Sequence, residues 1–140
     1  MEIRPARLQD IPVLVALVSL NTSQYPVIPD KVKMKRLLVE AISTKSNFCW
    51  VSTQDNTVTG LLGAISQQGL WFERKHLHIL YLSSTSRGGG QAMLRELMRW
   101  ARPRKAIKVI TTDFTVTPRM GNLLSRVGLT PHCTTHSFFK

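Results

Sequence analysis

Apolar residues along the chain follow two rhythms, the roughly 3.6-residue period of helices and the two-residue period of strands. Ile11, Leu14, Val15 and Val18 recur at helical spacing after Asp10, which predicts a first helix with Asp10 as its N-cap. Met34, Leu37, Leu38, Ala41 and Ile42 mark the inner face of a second helix capped by Asp30, with Lys33, Lys35, Arg36 and Glu40 facing outward. Between the two, Asn21 to Pro29 is rich in turn formers and reads as a loop. Met93, Leu94, Leu97, Met98 and Ala101 form the stripe of a third helix, stopped by Pro103. A fourth helix opens on Thr117 and Pro118, turns Met120, Leu123, Leu124 and Val127 inward, and closes at Gly128.

Strand patterns fill the intervals. Glu2 to Arg7 is a short first strand. Phe48 to Thr53 and Val58 to Ser66 form a hairpin around the turn Gln54 to Thr57, and Gly60 and Gly63 mark a bend or a close approach within it. Trp71 to Leu82 is the next strand, and Thr134 to Phe139 the last. Ala106 to Phe114 is apolar on both faces and is expected in the middle of the sheet. The order β-α-α-β-β-β-α-β-α-β predicts an α/β fold of the α+β type. It has a mixed, largely antiparallel sheet flanked by about four helices. With no internal repeat or linker, residues 1–140 are expected to form a single domain.

Composition narrows the class. A hydrophobic fraction of 43% supports a core. No apolar run approaches the roughly 20 residues of a membrane span. Met1 to Pro5 lacks the apolar stretch of a signal peptide, so the expected compartment is the cytoplasm. Cys49 and Cys133 are far apart and read as reduced, buried thiols. His76 and His78 have no nearby Cys, Asp or Glu to complete a ligand set, so no metal is expected. The formal charge of +11 attracts polyanions: nucleic acid, an acidic partner protein, or cofactor phosphates. Its two clusters, Lys31 to Arg36 and Arg99 to Lys108, also serve as solvated faces.

Chemistry concentrates where Leu82-Ser83-Ser84-Thr85-Ser86-Arg87-Gly88-Gly89-Gly90-Gln91-Ala92 joins a strand to a helix. Glycines let main-chain N–H groups converge without Cβ obstruction, and the first turn of a helix presents unpaired donors at the positive end of its dipole. That combination binds a pyrophosphate. A P-loop is excluded because Gln91-Ala92 stands where Lys-Ser/Thr is needed. A dinucleotide fingerprint is excluded because no glycine stands at Met93 and the loop follows a hairpin.

The pattern Arg87-x-x-Gly90-x-Ala92 resembles the Arg/Gln-x-x-Gly-x-Gly/Ala signature of the GNAT superfamily of acyl-CoA N-acyltransferases, which lies between their fourth strand and third helix. Leu77-x-x-Leu80-x-Leu82 resembles the preceding strand, and Leu123 to Leu129 the end of the family's fourth helix. With the element order, the resemblance spans the whole chain. It implies that acetyl-CoA lies between splayed fourth and fifth strands. Its pantetheine arm would pair near Leu82, Ser83 and Ser84, with its pyrophosphate on the N–H groups of Gly88, Gly89, Gly90, Gln91 and Ala92 and the Arg87 charge nearby.

The implied reaction is acetyl transfer to a primary amine by direct attack. A lysine-like amine, with pKa about 10.4, must lose a proton first. Where many family members carry a glutamate base stands His76, the expected base directly or through water, with His78 on the same face and Glu73 a weaker candidate. Where the family has a tyrosine acid stands Leu124. These departures leave a second reading open, a GNAT-like module that holds CoA or a partner protein without turnover. Nucleic-acid binding is a weaker third reading, because it leaves the glycine loop unexplained. The acceptor, a small-molecule or protein amine, and the oligomeric state stay open.

Overall fold

A computed structural model describes residues 1–22, 30–68, 75–107, 109–112 and 118–130. The elements run β1 (Glu2–Pro5), a 3-10 turn (Leu8–Asp10), α1 (Ile11–Thr22), α2 (Lys31–Ser43), β2 (Phe48–Gln54), β3 (Thr57–Gln68), β4 (Lys75–Ser84), α3 (Gly89–Ala101), β5 (Ile110–Thr112) and α4 (Pro118–Arg126). The sheet order is β1-β2-β3-β4-β5, antiparallel except where β5 joins β4 in parallel. This is the expected α+β architecture. The expected last strand at Thr134 to Phe139, the Thr117 cap, Tyr25, Trp71, Phe72, Glu73, Phe114 and Cys133 lie outside the described residues.

Local signals fix several joints. Asp30 caps α2, accepting the Lys33 N–H at 3.0 Å. Asp55 and Asn56 take positive φ (50° and 61°), the conformation of a two-residue hairpin turn whose twist matches its strands. Past α4, Gly128 has φ 94°, donating to the Ser125 carbonyl while Leu129 donates to that of Leu124; this double bond is the Schellman stop. The strand expected from Ala106 begins later. After Pro103 the chain makes turns closed by Arg104 to Ala101 and Ile107 to Arg104, and Arg104 stacks 3.9 Å from the Trp100 ring. Among the described residues β5, like β1, is an edge strand.

Asp10 departs from expectation. Instead of capping α1, its buried carboxylate accepts two hydrogen bonds from the Arg4 guanidinium, at 2.8 and 3.0 Å, and one from the Arg7 N–H at 2.8 Å. The Arg4 hydrogen bond holds the Asp10 carboxyl below its ordinary range, against the opposing effect of burial. A depressed folded-state pKa stabilises the fold above the unfolded value of about 3.9 and is lost as pH falls through the folded value. Thermal unfolding of Asp10→Asn should therefore lie below wild type near neutral pH, with the gap closing in acid. A gap that is constant with pH would contradict this.

The sheet buries both faces. On one, Phe48, Leu62, Ala64, Leu77 and Ile79 pack with Met93, Leu94 and Leu97 of α3 and Leu124 of α4. On the other, Ala6, Cys49, Val51 and Leu61 pack with Leu14 of α1, and Leu38, Ala41 and Ile42 of α2 lie against them. α2 has no fully buried residue, and Leu37, expected on its inner face, is 50% exposed. Cys49 is enclosed enough that burial pushes its thiol up to about 12, leaving it protonated and unreactive.

In β4 the register with β3 slips. Gly63 pairs with Tyr81 but Ala64 pairs with Ile79, so Leu80 is an extra residue, a β-bulge. The bulge brings Tyr81 onto the α1–α2 face with His78, while Ile79 and Leu82 are successive on the α3–α4 face.

Candidate active site

The loop after β4 is shaped by its own hydroxyls. Ser84 Oγ donates to the Ser86 carbonyl (3.1 Å) and meets Ser86 Oγ (3.0 Å). Thr85 donates to the Thr59 carbonyl through both its N–H (2.8 Å) and its hydroxyl (3.1 Å). Thr59 Oγ1 in turn meets Ser86 Oγ (3.2 Å) and Ser52 Oγ (3.1 Å). The β2–β3 hairpin thus ties down the loop, a role for Ser52 and Thr59 that the sequence reading missed. The available signal was two hydroxyl residues that the hairpin turn brings into near register.

Gly88 precedes α3 with φ 77° and ψ −5°, left-handed backbone that a side chain disfavours. At Gly89 there is no room for a side chain, since a Cβ would collide with Ser84 Oγ and Ser86 Oγ. Gly89 donates to the Ser86 carbonyl (3.2 Å) and Ala92 to that of Gly88 (3.0 Å). The N–H groups between them, of Gly90 and Gln91, are the orphan donors of the first turn. Arg87 is exposed beside them, Gln91 and Ala92 are half-buried, and Gly90 is separated from Leu123 of α4 by ordinary contact distance, 3.5 Å from its Cβ position. Leu123, not Leu124, is therefore the α4 residue facing the loop. Leu124 is 9% exposed within the core.

β4 and β5 pair only over Leu77–Ile79 and Ile110–Thr112 among the described residues. Beyond Ile79, Leu80 to Ser84 have their described pairing with β3 alone, with Leu82 opposite Leu62, Ser83 opposite Leu61 and Ser84 opposite Gly60. At the last described residue of β5, the buried Thr112 Oγ1 has no hydrogen-bond partner among the described residues. A buried hydroxyl without a protein partner is suited to a polar ligand.

His76 and His78 share the α1–α2 face, with ring centroids 6.5 Å apart at 77°. Both are half-buried. His78 is the nearer to the bulge, and its Nδ1 lies 2.7 Å from Thr111 Oγ1 on β5, which fixes the ring across the β4–β5 seam. Tyr81 follows it on that face and donates its hydroxyl to the Leu17 carbonyl at 3.3 Å. The histidines and the glycine loop thus lie on opposite faces, joined by the seam.

Residues and cofactor fit. The orphan donors at Gly90 and Gln91 match a diphosphate, and the Thr112 hydroxyl, without a partner among the described residues, suits a polar arm. Among the described residues no group of three His, Cys, Asp or Glu side chains is placed to hold a metal ion. No described helix is long and apolar enough to cross a membrane.

This sheet, with its bulged fourth strand, parallel fifth strand and glycine loop opening α3, is a GNAT-like acyltransferase fold. Solved structures of the same fold include a protein assigned to the acetyltransferases from Agrobacterium tumefaciens str. C58 (15% identity, 100% of both chains, TM-score 0.76). Another, from Clostridium acetobutylicum, was solved with acetyl-CoA (15% identity, 99% of this chain and 95% of that one, TM-score 0.74). A third is the aminoglycoside acetyltransferase meta-AAC0020 from an uncultured soil metagenomic sample, in complex with sisomicin (14% identity, 99% and 94%, TM-score 0.68). The sequence matches no protein-family model and no curated protein sequence. At such identities the likeness is one of fold.

Proposed function

We propose that this chain is an N-acetyltransferase that uses acetyl-CoA and a primary amine. The observation that carries the reading is the pair of Gly90 and Gln91 amides left in the first turn of α3 behind left-handed Gly88, next to a β4 whose described pairing with β5 ends at Ile79. The acetyl-CoA thioester supplies an activated acyl group. The Gly90 and Gln91 amides and the Arg87 charge hold its diphosphate, and the main chain of Leu82 to Ser84 with the Thr112 hydroxyl orients its arm along the seam. The seam carries the acyl end toward the face that bears the histidines.

His78 is the better-placed base. It stands at the seam near the bulge and is oriented by Thr111, whereas His76 is two register pairs further from the bulge. His78 takes the amine proton as the C–N bond forms and the C–S bond breaks. Neither Leu123, which faces the loop, nor Leu124 has a proton to give, so the sulfur is protonated by His78 or water. Those apolar positions also favour the second reading, a module that binds CoA without turnover.

A thiol-release assay over a panel of amines, run beside acetyl-CoA binding by thermal shift, separates the readings. The enzyme shows both signals and a module shows binding alone. Absence of both removes the acyl-CoA account.

A further inference from the structure

The α1–α2 side of the sheet contains a cavity of about 380 Å³, within the size range of small-molecule sites. Met34, Leu37 and Leu38 of α2 form one wall, and Leu61, Ile65 and Leu80 of β3 and β4 form the other. It exists because α2 stands off the sheet: the helix turns an apolar face inward yet buries no residue fully. Resting on the acyltransferase reading above, we infer that this cavity is the acceptor subsite and that it takes a primary amine carried on an aromatic or branched apolar body.

Three observations commit it to that chemistry. The first is charge. In a protein of net charge +11, the described lining includes one carboxylate, Glu40 at the exposed rim, and no lysine or arginine. One ammonium is matched there, whereas a polyamine or an aminoglycoside would set several charges and hydroxyls against apolar walls. The second is space. Gly63 lines the cavity opposite Tyr81 at the bulge, and a Cβ built on it meets nothing within 4 Å. Glycine weakens a strand interior, and here its missing side chain leaves the floor open. The third is position. Leu80 and Tyr81 of the bulge line the cavity within three residues of His78, and Ile65, the register partner of His78, lines it too.

The probe is a para-fluorinated phenethylamine followed by fluorine NMR, with its alcohol counterpart and spermidine as competitors. Wild type should bind the amine, and neither competitor should displace it at equal concentration. Glu40→Gln should weaken binding by roughly threefold, the size of an exposed charge pair. Gly63→Leu should abolish it while the acetyl-CoA thermal shift persists, which shows that the variant is folded. Leu37→Trp, on the half-exposed wall, should give the same loss by an independent route. No binding to wild type, binding unchanged in both filled variants, or equal displacement by alcohol or spermidine would each overturn the inference. Amine binding without any acetyl-CoA shift is a different failure: it removes the donor reading and with it the assignment as an acceptor site.

Discussion

Saturating acetyl-CoA should raise the melting temperature of the wild-type protein by several degrees and leave that of Gly90→Glu where it was. At a ligand concentration of 100 times Kd, selective binding to the folded state contributes about 2.7 kcal/mol, or very roughly 5–10 °C for a domain of this size. The substitution is selective for physical reasons. Gly90 has ordinary backbone geometry and its Cβ position is 3.5 Å from Leu123, so a side chain can begin there without a collision. A carboxylate in the first turn of α3 suits the helix dipole. The unliganded protein should therefore stay folded, while a fixed negative charge occupies the place where a diphosphate would meet the Gly90 and Gln91 donors. A full shift in the variant would put the phosphates elsewhere.

The second large effect is catalytic. His78→Ala should lower turnover by about 10²–10³, the usual contribution of a positioned base, with the acetyl-CoA thermal shift intact. His76→Ala should cost much less. Thr111→Val keeps the imidazole but removes the 2.7 Å contact that holds it, and should give an intermediate loss in kcat with KM for acetyl-CoA unchanged. The reverse ranking, His76 dominant and His78 silent, would return the base to the position favoured by the sequence pattern alone.

The features legible in the sequence are those set within a few residues. Asp30 sits three residues before the amide it caps, Asp55-Asn56 carry their own positive φ, and Gly128 ends α4 by local geometry. The glycine loop belongs with them, since a strand, three glycines and an amphipathic helix are contiguous. What stayed hidden depends on register across the sheet. The Leu80 bulge puts Tyr81 on the face of His76 and His78, where strict alternation would have put it on the opposite one. Thr59 reaches Ser86 only because β3 lies beside β4. Asp10 looked like a cap because its true partner, Arg4, lies on a strand whose direction the pattern does not fix. Leu37 has helical periodicity like its neighbours, yet α2 stands away from the sheet and leaves it half exposed.

The central claim concerns particular amides, so a coenzyme A titration followed by proton–nitrogen correlation NMR addresses it most directly. The amide signals of Gly88 to Ala92 should show the largest shifts and saturate together, with Gly90 and Gln91 moving downfield as they gain an acceptor. If those signals hold still while others move, or if nothing moves, the loop does not grip the diphosphate and the acyl-transfer account fails.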